Sequence, residues 1–332
     1  DLGVFHLFSI SGLHLFASVA ALYWFAARLR IPQGVVDLAL MGLLPLLLLL
    51  LPLGAGLWRA VWMRLAGIVN RYLQLGFTGL DLFGMVLMVN LIWQPRILMT
   101  MGGQLTYLMT GLLISLPTMR KWQLNWRLVL AGMPVIAWHT FSFNVLTVIF
   151  NWLLMPIFEL AIMPGLVVAL ALPHSGVTRL FNDALQLLET VLIGLSRLPG
   201  QMIIGAFPSW LAVAGVLVMA IVITRLKWPL AISWFLVVLA WCWYQPNYRV
   251  VMFDVGQGDA ILIEAPFRRG VMLIDTGGRI FGQTSHPPVS RAIVPYLHAR
   301  GYTRLNTLVV THPHMDHLGD APLLARLMPM IA

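Results

Sequence analysis

Residues 35–53 read V-V-D-L-A-L-M-G-L-L-P-L-L-L-L-L-L-P-L, with Asp37 as the one charged residue. An α-helix needs about 20 consecutive apolar residues to cross a bilayer. The rest of the 332-residue chain follows the same trend, because 60% of its residues are hydrophobic and only 10% are charged. A soluble domain has about a quarter of its residues charged. The sequence therefore predicts an integral membrane protein rather than a soluble enzyme.

Further apolar segments, separated by short breaks rich in Pro, Gly and Arg, fill the first three quarters of the chain. The candidate helices cover residues 2–27, 35–53, 80–93, 97–116, 126–138, 144–163, 165–172, 208–224 and 228–244. Segments 80–93 and 165–172 are short for a full crossing. Broken or re-entrant helices of this kind are tolerated where they are buried in protein or line a water-filled cavity. The predicted fold is a polytopic α-helical membrane bundle with broken or re-entrant helices.

Basic residues are concentrated in this part of the chain. Residues 1–247 hold 13 Lys/Arg against 6 Asp/Glu, within a total net charge of +9. Basic loops tend to stay in the cytoplasm, and Arg225 and Lys227 lie between the last two apolar segments. The segment 228–244 would then deliver residue 248 and all that follows to the outer face. A basic path for a polyanion is a second interpretation, compatible with the first.

The composition changes near residues 245–247, where a soluble α/β pattern begins. Short apolar runs that end in turn residues predict strands at 250–253, 260–264, 271–274 and 307–310, with a helix at 289–299. We therefore predict a membrane domain over residues 1–247 and an α/β domain over residues 248–332.

A cluster of possible metal ligands lies close to the end of the chain, where residues 311–317 read T-H-P-H-M-D-H. Alternation in an extended loop points His312 and His314 to one side, and a helix that begins at Asp316 and His317 turns back towards them. These ligands suit Zn²⁺ or Mn²⁺. One ion on His312 and His314 and a second on Asp316 and His317 would make a two-metal site for phosphodiester hydrolysis.

The α/β domain resembles the metallo-β-lactamase superfamily. The resemblance rests on F-D-V-G-Q-G-D-A at 253–260, on L-I-D-T-G-G at 273–278 and on the histidine cluster. It implies that the complete domain binds two ions, with Asp316 as a catalytic residue and a metal ligand. It also implies that Asp275 lies near the metals, and that Asp254 and Asp259 fix a turn.

The membrane part resembles the ComEC family of DNA-internalisation channels. Residues 6–15, H-L-F-S-I-S-G-L-H-L, are similar to a signature of that family. Further similar segments follow in family order: W-R-A at 58–60, G-Q-L-T-Y at 103–107, N-W-L-L-M-P at 151–156 and P-G-L at 164–166. Thr106 stands where the family usually has Ser, which keeps the hydroxyl.

The ComEC resemblance implies import of single-stranded DNA across the cytoplasmic membrane during natural transformation. The lactamase-like domain, on the outer face, would degrade the strand that is not imported. A DNA receptor and a cytoplasmic motor are the implied partners beside the lipid bilayer, and a homo-oligomer is left open. Against the family pattern, an upstream OB-like domain, the first spans and the second half of the lactamase-like domain are missing. We therefore expect an internal piece of a longer protein, inactive as a nuclease by itself.

Polar residues within the first apolar segment are candidates for a translocation path. Ser9, Ser11 and His14 are costly in hydrocarbon unless they face the bundle interior or water, and Gly12 permits a close helix approach. The alternative is a hydrogen-bonded contact between helices.

Arg59 and Arg64, with Trp58 and Trp62 nearby, could contact the phosphates and bases of single-stranded DNA. Arg and Trp are also common at ordinary membrane interfaces. For the whole protein, one rival function is a membrane-tethered metallo-hydrolase of another phosphoester with no transport role. Another is a channel whose lactamase-like domain is inactive.

Overall fold

The structure is a computed structural model that describes residues 12–50, 54–116, 120–144, 146–172, 176–196, 200–225, 227–256, 258–278 and 287–330. Most of these residues are helical. Eleven helices precede the strand-rich part in the described residues: α1 (Gly12–Arg28), α2 (Gln33–Leu50), α3 (Ala55–Tyr72), α4 (Gly79–Trp93), α5 (Met101–Ser115), α6 (Lys121–Thr140), α7 (Thr147–Ile157), α8 (Met163–Ala171), α9 (Gly176–Ser196), α10 (Ser209–Arg225) and α11 (Trp228–Trp243).

The chain divides into two compact units. One comprises Asp1–Val135 with Asn144–Gln201, and the other comprises Ile136–Phe143 with Met202–Ala332. The second unit thus contains α10 and α11 together with the α/β part. The domain boundary at residue 247 stays a prediction.

Helix α3 is the centre of the first unit, where it packs against α1, α2, α4 and α5. Leu57, Val61, Leu65 and Ile68 recur every three or four residues and are buried, as expected for one face of a helix. The same helix carries Arg59 and other basic residues on its remaining faces. It is therefore a packed helix of the bundle, although its arginines kept it out of the predicted spans.

Among the described helices, only Gln33–Leu50 is both long and apolar enough to cross a membrane by length and composition. Gly79–Trp93, Ser209–Arg225 and Trp228–Trp243 are apolar but shorter. The segment predicted at 97–116 is divided, because a short 3₁₀ helix, Pro95–Met99, precedes α5. The Thr100 side chain accepts a hydrogen bond from Gly103 N over 3.1 Å and so caps the new helix.

The predicted break between segments 144–163 and 165–172 is wrong. Helix α7, a π-helical turn over Phe158–Ile162 and α8 follow one another without interruption. Pro164 has no backbone N–H to donate, and it lies at the start of α8. A π-helical turn is one of the known ways in which a helix absorbs such a disturbance. Residues 165–172 therefore form the end of a longer helical stretch rather than a separate re-entrant helix.

The α/β part confirms the predicted strands to within one or two residues. Strands β1 (Ser142–Asn144) and β2 (Gln201–Ile203) pair with each other, and a four-stranded sheet has the order β3-β4-β5-β6. Its strands are β3 (Arg249–Met252), β4 (Ile261–Glu264), β5 (Val271–Ile274) and β6 (Thr307–Val309). Strands β3, β4 and β5 pair antiparallel, whereas β5 and β6 are parallel. The crossover between β5 and β6 contains a π-helical turn, Val289–Ile293, and α12 (Val294–Ala299).

One face of this sheet forms the core of the α/β part. Leu262 and Leu273 are fully buried there and belong to one cluster with Ile293 of the crossover. On the edge strand β3, by contrast, the apolar residues Val250 and Met252 are exposed. Among the described residues, the two faces of the sheet therefore differ in burial, with the more exposed face including Val250 and Met252.

Hydrogen bonds from Arg268 connect the α/β part to the end of α11. Its Nη2 atom donates to Cys242 O over 2.7 Å and to Ile204 O over 3.1 Å. Carbonyl groups at the end of a helix lack partners within the helix, and Cys242 O accepts from both the guanidinium and the Gln245 side chain. Phe267 and Arg268 both have a φ of 55°, a left-handed conformation that is uncommon outside glycine. A Cβ on Gly301 would lie 2.2 Å from Arg268 Nη2, so the absence of a side chain there makes room for the guanidinium.

Candidate metal centre and polar sites

Three of the four predicted ligands meet after β6. Ligand atoms of His312, Asp316 and His317 all lie within 4.8 Å of one another. Asp316 and His317 belong to α13 (Met315–Leu318), a single turn that begins where the extended loop ends. His314 is outside this group of three, but its ring stands edge-on to that of His312, with centroids 4.8 Å apart. Its assignment to a first ion stays a prediction.

Asp275 orients His317. The Asp275 Oδ2 atom lies 2.8 Å from His317 Nδ1, while His317 Nε2 faces Asp316 Oδ2 at 3.6 Å. A carboxylate on one ring nitrogen fixes the tautomer and leaves the other nitrogen free as a ligand. Neutral imidazoles with a carboxylate form a donor set that suits zinc and similar ions. The described residues therefore fit a metal ion at this place.

Thr311 completes the surroundings of Asp275. Its backbone N donates to Asp275 Oδ1 over 2.8 Å, and its hydroxyl donates to Oδ2 over 2.7 Å. Burial by itself would raise the pKa of Asp275, but the hydrogen bonds from Thr311 and His317 outweigh it and hold the pKa below its usual value. The hydrogen bond to Asp275 in turn raises the pKa of His317. Asp275 is thus a buried, ionised acceptor, and the Nδ1 atom of His317 is the donor.

Glycines of both upstream motifs let the chain approach the ligand loop closely. A Cβ on Gly258 would lie 2.0 Å from Asp316 O, and one on Gly278 would lie 1.7 Å from Met315 O. Between them, Thr276 N donates to His317 O over 2.9 Å. The two glycine-containing turns therefore hold the backbone of the ligand helix, which any side chain at these positions would displace.

The two turn aspartates make different contacts, and the charge of Asp259 helps to raise the pKa of His317. Asp254 Oδ1 accepts from Gly256 N over 3.3 Å, a contact that closes its own turn. The carbonyl oxygen of Asp259 accepts from Gly277 N over 2.9 Å. The Asp259 contact is made by its backbone, and the role of both side chains in shaping the turn stays a prediction.

The candidates in the helical unit fall into three groups. Ser9 and Ser11 lie outside the described residues, and the His14 side chain is likewise outside the description, although His14 belongs to α1. Gly12 begins α1 and lies against the Arg59 guanidinium, because a Cβ there would be 2.7 Å from Arg59 Nη2. Arg64 instead faces a carboxylate, with its Nη2 3.9 Å from Asp37 Oδ1.

Sequence patterns missed the partners of several of these groups. Thr311 belonged to the quoted cluster but had no assigned role, and Thr276 was seen only as part of a turn. Asp37 is an acidic residue inside an apolar run, which was a signal for a buried pairing. It is only 1% exposed and accepts from Arg71 Nη2 over 3.4 Å and from the Tyr23 hydroxyl.

Comparison with known proteins adds three findings. The family described as "Competence protein" matches residues 1–229, and the metallo-β-lactamase superfamily matches residues 253–329. ComE operon protein 3 of Bacillus subtilis (strain 168) is 28% identical over 368 aligned positions, which cover 98% of this chain and 46% of the relative. The chain thus spans about half the length of that relative. No solved structure matches.

Proposed function

Because this chain belongs to the competence protein family, we propose that it forms part of a multi-pass membrane channel that imports single-stranded DNA. One observation carries the proposal. The competence match is followed in the same chain by a metallo-β-lactamase match, and that second region gathers His312, Asp316 and His317. These observations support the proposal that one protein combines a path for DNA with a site for phosphodiester hydrolysis.

The lactamase-like region is proposed to degrade the strand that does not enter. His312, His314, Asp316 and His317 would hold Zn²⁺ or Mn²⁺, with two ions in the complete domain. Such ions supply an activated water and stabilise the leaving oxygen. Within this chain, Asp275 keeps the His317 ring in the ligand tautomer, and Thr311 keeps Asp275 ionised and in place.

Topology follows from the basic loop between the last two apolar helices. Arg225 ends α10 and Lys227 precedes α11, and basic loops remain cytoplasmic. The metal cluster would then lie on the outer face of the inner membrane, where incoming duplex DNA arrives. A DNA receptor on the same face and a motor in the cytoplasm are the proposed partners.

The proposal is tested in the full-length protein with duplex DNA labelled on one strand at a time. The wild type should release one strand as small fragments outside the cell and bring the other inside intact. His317→Ala should abolish the fragments and the bound metal, whereas His298→Ala, a histidine of α12 outside the cluster, should retain both. Release of fragments from His317→Ala at the wild-type rate would contradict the nuclease assignment.

A second arm separates transport from hydrolysis alone. Ser11→Leu and His14→Leu remove polar groups from the first apolar segment, and we expect each to lower uptake of labelled DNA while fragment release continues. Normal uptake by both variants at normal expression would remove these residues from the path. If no variant or condition yields labelled DNA inside the cell, the membrane-tethered hydrolase becomes the better description.

A further inference from the structure

Arg59 is a partly buried cation for which the described residues offer no carboxylate partner. Its Nε atom donates to Thr106 Oγ1 over 3.0 Å. The ion pairs of the described part of the chain involve other cations. A charge that is withdrawn from water is costly unless an opposite charge faces it. We therefore expect an anion to bind beside the Arg59 guanidinium.

The other arginines of the same helix differ in this respect. Arg71 Nη2 lies 3.4 Å from Asp37 Oδ1, and Arg64 Nη2 lies 3.9 Å from the same atom. The Arg64 guanidinium also lies over the Tyr23 ring, 4.8 Å from its centroid. Arg64 thus has a carboxylate and an aromatic face within the protein, and it serves as an internal comparison for Arg59.

Residues of three helices, α1, α3 and α5, meet around Arg59. A Cβ on Gly12 of α1 would lie 2.7 Å from Arg59 Nη2 and 3.0 Å from Ala60 Cβ. A Cβ on Gly56 would lie 3.5 Å from Thr106 Oγ1 of α5. The missing side chain of Gly12 therefore leaves room for the guanidinium itself against α1, whereas a Cβ on Gly56 would make only an ordinary contact. The Thr106 hydroxyl holds the guanidinium by its Nε atom.

We propose that Arg59 binds a backbone phosphate of single-stranded DNA, an inference that rests on the proposed transport function. Its Nη atoms are the donors that can pair with two oxygens of one phosphate group, and such paired hydrogen bonds between charged groups are strong. Its place between α1, α3 and α5 favours a strand that passes through the bundle over a lipid head group at the rim. Thr106 acts as a positioning residue, and Gly12 lets the guanidinium lie directly against α1.

The test is the salt dependence of binding, measured on the purified full-length protein with a fluorescent oligothymidylate. Each phosphate contact contributes about −0.7 to the slope of log K against log salt for single strands. Arg59→Gln should reduce the magnitude of the slope by about 0.7 and weaken binding about tenfold at low salt, as expected for one charged hydrogen-bonding contact. Arg59→Lys should restore the slope, because it keeps the charge. Arg71→Gln removes the same charge from the same helix, at a residue whose Nη2 atom lies 3.4 Å from Asp37 Oδ1, and should leave the slope unchanged.

Each result decides a different point. An unchanged slope in Arg59→Gln, or an equal loss in Arg59→Gln and Arg71→Gln, overturns the assignment and leaves the proposed transport function standing. Absence of any salt-dependent binding by the wild type overturns both proposals. A third arm measures binding to nanodiscs that contain anionic or only zwitterionic lipid. If Arg59 governs that binding and not the binding of the oligonucleotide, its ligand is a lipid phosphate. The elution profile of Arg59→Gln, compared with that of the wild type, shows whether its loss of binding reflects misfolding, and Arg59→Lys shows whether the charge restores binding.

Discussion

Substitution of Asp275 by Asn should move a proton across the His317 ring. The Thr311 backbone N–H faces Asp275 Oδ1, and it can only donate. The introduced asparagine must therefore keep its oxygen on that side and turn its NH₂ group towards the Thr311 hydroxyl and His317 Nδ1, which both face Oδ2 in the native protein. His317 Nδ1 then becomes an acceptor, so that the proton moves to Nε2, the atom that faces Asp316.

The reversed hydrogen bond is expected to lower the metal affinity of the site. Loss of an oriented hydrogen bond to a ligand histidine lowers metal affinity about 10–100-fold, which corresponds to about 1.4–2.7 kcal/mol. Zinc affinity of the full-length protein, measured by competition with a chelating indicator, checks the prediction. Asp254→Asn is the matched control, since its carboxylate closes a separate exposed turn, and it should change the affinity less than twofold. Wild-type affinity in a folded Asp275→Asn protein would refute the proposed control of the tautomer.

Two further predictions concern glycines and use paired controls. Gly258→Ala should lower zinc affinity more than tenfold, because its Cβ would lie 2.0 Å from the backbone of the ligand helix. Gly256 has the same sign of φ but open space around it, so Gly256→Ala should bind zinc normally. An equal loss of affinity in both variants would show that strain in the turn, not the collision, matters. Gly301→Ala should lower the free energy of unfolding by about 3 kcal/mol or more. Left-handed strain contributes about 1–2 kcal/mol, and displacement of the charged hydrogen bonds of Arg268 contributes about 1.5–3 kcal/mol for each bond. Melting temperature measures this effect against Gly270→Ala, where a Cβ meets only ordinary contacts, and equal melting temperatures would argue against a structural role for Arg268.

Local patterns were sufficient for the α/β part. The strands from Arg249 to Val309 are short apolar runs bounded by glycines and charged residues, and the cluster at residues 311–317 carries its ligands within one turn of chain. Both features depend on neighbours in sequence, so the sequence predicted them. The pairing of Asp275 with His317 spans 42 positions, and only the parallel pairing of β5 with β6 brings those two positions together.

The helical unit was harder to predict because apolar composition says little about where helices break or meet. Thr100 begins a helix inside the segment predicted as one helix over residues 97–116, and Pro164 fails to end one. Helix α3 was set apart for its arginines, yet it lies at the centre of its unit. The carboxylate that explains Arg64 comes from α2, and the hydroxyl that holds Arg59 comes from α5. Such contacts between distant segments leave no periodic signal in the sequence.

The hydrogen bond from Arg268 to Cys242 O couples the end of α11 to the sheet. A helix of 16 residues is about 24 Å long, so a tilt of about 5° about one end would displace the other by roughly 2 Å. Because the guanidinium connects that end to the sheet next to the histidines, a movement of the helix end would be passed on to the sheet. A tilt of α11 would then reach the strands next to the candidate metal cluster through this one contact.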